Sequence, residues 1–192
     1  MKKIALSIAI IAAVFTGCTI DDETEVVKVP VTGEITGDLT VSKTYPFGNY
    51  TLKGFAKVAS GVTITFEAGS TITADKADGE DAFVILNGGK LIAVGTASEP
   101  IVFTEKSKVA GSWGGIIMYG NAPIVNSATN PAPQTATSED GLALPYGGSD
   151  AAHNGGTLKY VRVEYAGQVI TQNNKEQNGF SFYSVGSGTT LE

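Results

Sequence analysis

The stretch from Gly61 to Thr104 constrains the fold more than any other part of the sequence. It begins with GVTITFE, in which Val62, Ile64 and Phe66 alternate with polar residues. This period of two is typical of a strand that is buried on one face. The short apolar runs FVIL, KLIAV and IVF follow, with turn-forming residues between them. The stretch therefore predicts a series of short strands.

Strand-like segments continue through the chain without a helical connection between them. They are ITGDLTV, YTLKG, AKVASGVTITF, STITA, AFVIL, GKLIAV, PIVFT, GGIIMYG, GTLKYVRVEYAG and GFSFYSVGSGTT. This arrangement excludes doubly wound folds and predicts an all-β protein. The length of 192 residues suits one domain with a substantial core.

The spacing of the strands favours a solenoid. Ile64, Ile92 and Ile117 fall at comparable positions, at steps of 28 and 25 residues, and the step from Val163 to Leu191 is again 28. Repeated β units with such spacing stack as coils, with apolar side chains inside and threonines outside. We therefore expect a parallel β-helix.

A β-sandwich is the alternative fold. It would need antiparallel hairpins, whose strongest signal is an Asn-Gly or Asp-Gly turn between two strands. Asn87-Gly88 is the best candidate, whereas Asp78-Gly79 lies in a longer loop. The hairpin signal is therefore weaker than the solenoid signal.

Several motifs resemble, in order, a known family. The motifs are AGSTI, GGKLIAVGTASEPIVFT, GSWGGIIMYGNAPI, YGG, GTLKYVRVEYAG and NGFSFYSVGSGTTLE. They resemble secreted or surface lipoproteins of Bacteroidota with a right-handed parallel β-helix, mostly of unknown function. The resemblance implies relatives that continue further, and SVGSGTTLE carries no polar capping element. We therefore expect the N-terminal portion of a longer coil.

The N-terminus has the pattern of a secretory leader. Lys2 and Lys3 precede the apolar run from Ile4 to Phe15, which is too short to span a bilayer. The run closes on FTGC, which resembles the lipobox of bacterial lipoproteins. We expect residues 1–17 to be a signal peptide and Cys18 to carry acyl chains that anchor the protein in a membrane.

The residues after the cysteine predict a tether. The acidic run TIDDETE precedes EVVKVPVTG, which Pro30 interrupts. The acidic run resembles the export signal that directs Bacteroidota lipoproteins to the outer face of the outer membrane, and a solvated spacer is the alternative. We expect a tether over 18–33, a β-helix body over 34–192 and a lipid-anchored location at the cell surface.

Composition narrows the chemistry. A single cysteine and a single histidine cannot form a zinc site, a disulfide or a thiol mechanism. The net charge of −6 argues against a nucleic-acid partner. The one candidate cofactor is calcium, for which the turn DKADGED offers the carboxylates of Asp75, Asp78, Glu80 and Asp81. A solvated turn is the alternative for this segment.

Binding residues are predicted at three places. Arg162 and Glu164 share one face of YVRVEY, and Trp113 between glycines could stack on a sugar or pack against a turn. A long loop over 126–156 interrupts the repeat. Its candidate binding residues are Tyr146, Asp150 and His153. Tyrosines elsewhere that could stack on sugars are Tyr119, Tyr165 and Tyr183.

Two functions remain open. A binding or structural module for glycans or cell-surface proteins needs only a long rigid face and scattered aromatic side chains. A calcium-dependent polysaccharide lyase or glycoside hydrolase would need a base with calcium ligands, or a carboxylate pair. Arg162 and Glu164 resemble the outer-face groups of β-helical lyases, although an exposed ion pair explains them equally. We favour the non-enzymatic function.

The predicted lipid anchor depends on the thiol of Cys18, so replacing that residue tests it. In the Cys18→Ala variant, the thiol that would carry the acyl chains is missing. We expect this variant to incorporate no labelled palmitate and to leave the membrane fraction. Palmitate labelling that persists in the variant would exclude the lipoprotein hypothesis, and protease treatment of intact cells would report the orientation.

Overall fold

The computed structural model describes residues 27–124, 135–170 and 175–192. The leader, Cys18, most of the tether and the first part of the predicted loop lie outside these residues, so the predictions about them stay predictions. The side chain of Asp78 is outside the description as well. Within the described ranges, no helix has the length and apolar character needed to cross a bilayer.

The described residues form seventeen strands and one short 3₁₀ helix, Lys76–Asp78. The strands are β1 (Val31–Leu39), β2 (Lys43–Tyr45), β3 (Gly48–Val58), β4 (Thr63–Phe66), β5 (Thr71–Ala74), β6 (Ala82–Ile85), β7 (Lys90–Val94), β8 (Ile101–Glu105), β9 (Ile116–Tyr119), β10 (Thr135–Thr137), β11 (Pro145–Gly147), β12 (Gly156–Lys159), β13 (Val161–Val163), β14 (Val169–Ile170), β15 (Lys175–Glu176), β16 (Phe180–Tyr183) and β17 (Thr190–Leu191).

The strands wind as a coil with three sides. Sheet 1 contains the first halves of β1 and β3, then β5, β8 and β13. Sheet 2 contains the second halves of β1 and β3, then β6, β9 and β16. Sheet 3 contains β2, β4, β7, β12 and β17. All pairs in these sheets are parallel, so the predicted right-handed parallel β-helix is confirmed and the antiparallel sandwich is wrong.

Alternation of side chains fills the interior of the coil. In β4 and β5 every second residue is buried, which places Ile64, Phe66, Ile72 and Ala74 inside. The intervening threonines face outward, as the period of two predicts. Successive coils stack these inward residues into one continuous apolar core.

Phe66 connects the three sides of this core. Its ring, which belongs to sheet 3, stacks on Tyr45 at 5.0 Å between centroids. It also lies edge-on against Phe83 of sheet 2 at 5.8 Å and Phe103 of sheet 1 at 5.6 Å. Such aromatic pairs stabilise beyond the apolar area that they bury. Phe66 therefore fixes how the three sheets meet.

Sheet 2 is covered on its outer side as well as its inner side. All four residues of β6 and all four of β9 are buried. The described part of the predicted loop folds as an antiparallel hairpin, β10 and β11, whose neighbouring residues Leu142, Leu144 and Tyr146 pack on this outer surface. The described part of the segment therefore packs over the coil.

Buried carboxylates join the corners between sheets 1 and 2. Asp81 accepts hydrogen bonds from the backbone N–H of Gly54 at 2.5 Å and of Asp75 at 2.9 Å. Glu105 accepts from the N–H of Lys76 at 3.1 Å and from Ser107. Burial raises the pKa of Glu105, but these hydrogen bonds outweigh burial and lower it overall. Each carboxylate thus links two successive coils.

The predicted register is wrong in detail. Ile64 lies beside Leu91, whereas Ile92 lies beside Thr65 and points outward. Ile117 belongs to sheet 2 and faces the hairpin. The repeat predicted the coil correctly but not its alignment, because corner segments of unequal length separate the strands.

Replacing Phe66 by alanine tests the core. The change leaves a cavity where the three sheets meet, and we expect the free energy of unfolding to fall by about 3–5 kcal/mol. Urea unfolding followed by circular dichroism measures this fall. The control is Val94→Ala, at an exposed site on sheet 3, with an expected change below about 0.5 kcal/mol. Equal effects of the two changes would contradict the packing described above.

Candidate functional site

The outer face of sheet 1 carries two straight columns of side chains. We call these columns together the polar ladder. One column is Thr32, Asn49, Thr71, Val102 and Arg162, and the other is Glu34, Thr51, Thr73, Thr104 and Glu164. Each column places one side chain on every coil. Because neighbouring strands lie about 4.8 Å apart, the ladder repeats at that interval along the coil axis.

The sequence predicts outward-facing threonines, but it does not predict the ladder itself. The sequence predicts outward threonines beside Val62, Ile64 and Phe66, and Thr63 and Thr65 do face outward from sheet 3. The longer array on sheet 1 was missed. Its signal is a polar residue two positions before a threonine, as in Asn49 with Thr51 and Thr71 with Thr73. That pattern becomes visible only after the coils are aligned.

Arg162 and Glu164 lie at the last coil of the ladder. The guanidinium Nη2 is 2.7 Å from Glu164 Oε1, and the hydroxyl of Thr104 donates to Glu164 Oε2 at 3.1 Å. The Arg162 side chain is 59% exposed. The two residues therefore share an outer face as predicted, and the ion pair leaves most of the guanidinium accessible to solvent.

Two further ion pairs contain an acidic residue of the ladder or one next to it. Lys53 Nζ lies 2.7 Å from a carboxylate oxygen of Glu34. Lys106 Nζ lies 2.6 Å from Asp75, and this hydrogen bond, with a second from the N–H of Ala77, lowers the pKa of Asp75. Glu34, in the ladder, and Asp75, next to it, are thus each ion-paired with a lysine.

The candidate calcium turn has other partners. Asp75 binds Lys106, Asp81 is buried with both oxygens accepting backbone N–H groups, and Glu80 is exposed. Among the side chains that the structure describes, no three of the metal-ligating types converge. Asp78 lies outside that set. The donor set that is visible does not form an open cage of oxygen atoms, and calcium binding stays a prediction.

Trp113 is not available for sugar stacking. Its side chain is fully buried, and its indole N–H donates to the backbone oxygen of Glu164 at 2.7 Å. The backbone of Trp113 also forms a parallel bridge with Ala166. The expected surface role is therefore corrected to that of a packing residue that joins the two last coils.

A tyrosine cluster lies under the hairpin. The rings of Tyr119 and Tyr183 stack at 5.2 Å, and Tyr146 packs on Tyr183 at 4.9 Å. The hydroxyl of Tyr119 donates to buried Asp140, and Ser138 donates to the same carboxylate at 2.8 Å. The sequence does not predict a role for Ser138 or Asp140, because nothing in TSED indicates that the turn is buried.

Burial and charge shift the acidity of these tyrosines. Burial, with a smaller effect of the hydrogen bond to Asp140, raises the pKa of Tyr119. Burial and the negative charge of Asp140 raise the pKa of Tyr183 to about 12. Both phenols therefore stay protonated and act as donors near neutral pH.

The remaining loop candidates, Asp150 and His153, belong to one turn. Asp150 is exposed and accepts from the N–H of Ala152 at 3.1 Å. His153 is 7% exposed, and its Nε2 is buried without a hydrogen-bond partner. Burial lowers the pKa of His153, Lys90 lowers it further, and Asp150 opposes both. The structure does not bring these residues to Tyr146 by any contact that it describes.

His153 predicts a loss of stability in mildly acidic solution. Because its pKa is lowered in the folded state, the unfolded chain binds the proton more readily. Its stabilising contribution is complete above about pH 6.5 and declines as the pH falls towards the lowered pKa of the folded state. Urea unfolding at about pH 7.5 and about pH 5.5 should show a smaller decrease for His153→Gln than for the unmodified protein. Identical decreases would contradict the role of His153.

Comparisons with known proteins agree with the coil. Neither a curated protein nor a solved structure matches the chain significantly. A family described as pectate-lyase-like beta helix domain matches residues 33–192, which include all three sheets apart from the first two residues of β1. The chain therefore belongs to the pectate-lyase-like β-helix domain family.

Proposed function

We propose that the protein is a non-enzymatic binding module for extended glycans, and that the polar ladder is its binding surface. The observation that carries this proposal is the repeat of the ladder. One hydrogen-bonding side chain recurs on successive coils at Asn49 and Thr71, and again at Thr51, Thr73 and Thr104. Family membership is compatible with a polysaccharide ligand.

The spacing of the ladder suits a polysaccharide that runs along the coil axis. The interval of about 4.8 Å between coils is close to the length of one sugar unit in an extended chain. Sugars would meet threonine hydroxyls, of which Thr51 and Thr73 can donate and accept hydrogen bonds, whereas Thr104 donates to Glu164 and can accept. The methyl groups of the threonines and of Val102 would contact the apolar faces of the rings. Weak contacts repeated over several coils would add up to useful affinity.

The ladder is rigid enough to act without rearrangement. Its inner strands, β3, β5 and β8, are paired on both sides within sheet 1, and the residues between the columns, such as Tyr50, Ile72 and Phe103, are anchored in the core. A surface that is already ordered loses little conformational entropy on binding. A fixed array of side chains therefore favours binding of a regular polymer.

Among the residues that the structure describes, no contact favours the enzymatic alternative. A lyase would use Arg162 as a base with carboxylates that hold calcium. Arg162 is ion-paired to Glu164, whose second oxygen accepts from Thr104. Both oxygens of Glu164 thus contact neighbouring side chains and are not offered to a calcium ion. A glycan ligand bound without turnover is the simpler use of the same face.

The proposal includes a location at the cell surface. Acyl chains on Cys18 would hold the module at the outer membrane, and the residues over 18–33 would act as spacer. An anchored module gains affinity for a polymer because neighbouring copies bind the same chain. Neighbouring cell-surface proteins are the other partners compatible with an exposed rigid face.

A matched pair of threonines tests the ladder. Thr73 lies at the centre of the ladder on sheet 1, and Thr65 lies at an equivalent outward position on sheet 3. Lysine at position 73 would block the contact of one sugar unit and interrupt the column. We expect Thr73→Lys to weaken retention in gels that contain soluble plant or bacterial polysaccharides by about tenfold, or about 1.4 kcal/mol. Thr65→Lys should leave it unchanged.

The same experiment separates the alternatives. Equal weakening by the two changes would exclude sheet 1 as the specific surface, and absence of retention for every polysaccharide would reject the glycan proposal. Release of unsaturated sugar products in the presence of calcium, lost in Arg162→Ala, would establish a lyase instead.

A further inference from the structure

A cavity separate from the ladder lies between the hairpin and the coil. Its volume is about 290 Å³, and its lining residues are Ser60, Leu86, Asn87, Tyr119, Leu144 and Pro145. We propose that this cavity binds a single neutral sugar ring. The proposal goes beyond the ladder, because the cavity lies on the side of sheet 2 and shares no residue with it.

The walls of the cavity are fixed by hydrogen bonds. Tyr119 is held by Asp140 and Ser138, and the N–H of Leu144 donates to the Ser138 hydroxyl at 3.1 Å. The N–H of Gly147 donates to Gly120 at 2.9 Å, which ties the hairpin to the coil. The cavity is therefore an ordered gap in the packing of the hairpin.

Two stacked turns form the rim. The N–H of Gly61 donates to the oxygen of Gly88 at 2.9 Å, so the turn that contains Ser60 lies against the turn that contains Asn87. Gly88 has a φ of +86°, and a Cβ there would lie 2.4 Å from the Ser60 hydroxyl. Glycine at this position thus makes room for the serine at the rim.

The chemistry of the lining indicates the ligand. Leu86, Leu144 and the ring of Tyr119 are apolar, whereas Ser60 and Asn87 offer a hydroxyl and an amide. A sugar ring has the same division, with an apolar C–H face and a polar edge. None of the six lining residues is charged, in a chain with 32 charged side chains. A neutral ring therefore fits this lining better than an anionic one.

The size of the cavity limits the ligand to one ring. Pockets for drug-sized ligands begin at about 300 Å³, and this cavity, at about 290 Å³, lies just below that range. A ligand with so few atoms binds weakly, and we expect a dissociation constant on the order of 1 mM. Weak and fast exchange of this kind suits saturation-transfer nuclear magnetic resonance.

The test uses neutral methyl pyranosides, with glucuronate as the charged comparison. We expect saturation transfer to at least one neutral methyl pyranoside and markedly less to glucuronate. The double variant Ser60→Ala, Asn87→Ala should reduce the transfer at least about fivefold, since both polar rim groups are lost. The matched control Thr65→Ala, at an outward position on sheet 3 outside both the ladder and the cavity, should keep it. Circular dichroism melting confirms that each variant is folded.

Three outcomes would overturn the proposal. They are no transfer to any methyl pyranoside, transfer that the double variant retains in full, and equal transfer to glucuronate. The experiments distinguish a failure of the ladder proposal from a failure of the cavity proposal. Loss of polysaccharide retention in Thr73→Lys with intact transfer to a methyl pyranoside assigns the two sites independently, whereas loss of both in that variant would be a fourth outcome that contradicts a separate cavity.

Discussion

Parallel pairing between successive coils is the constraint on which the rest of this structure depends. A coil cannot satisfy its own backbone groups, so each strand needs a neighbour above and below it. That requirement keeps the strands in line and stacks equivalent positions. The stacking then produces both the apolar core around Phe66 and the columns on the outside. The apolar interior and the candidate binding surface therefore both result from the same parallel pairing of strands.

The sequence predicts the strands and the coil, because both arise from local alternation of apolar and polar residues. It does not predict the register, because that depends on how much chain each corner holds. The corner between sheets 1 and 2 contains a single bend at Gly54 in one coil, but residues 75–81 and 106–115 in later ones. A fixed step therefore assigns Ile92 to the core, although Leu91 occupies that place.

The candidate site was less predictable than the fold. Asp81 appears as a calcium ligand in the sequence, but its partner Gly54 is 27 residues away, and only folding brings the two together. Trp113 has the same limitation, since its indole binds the backbone of Glu164 from the next coil. Arg162 and Glu164 were placed correctly because two residues on one strand share a face. A sequence shows which side chains share one face of a strand, but it does not show which side chains are buried by contacts with the next coil.

The residue pattern of sheet 2 indicates that a second layer packs on its outer face. Two of its strands are continuous apolar runs, AFVI in β6 and IIMY in β9, and they do not alternate. Continuous runs belong to strands that are buried on both faces. Since the core covers only one face, a second layer must cover the other, and the long segment after β9 supplies it with Leu142 and Leu144. Sheets 1 and 3 alternate and therefore need no cover. The same distinction divides the described coil into one side that carries a second layer and two sides whose outward side chains alternate with buried ones.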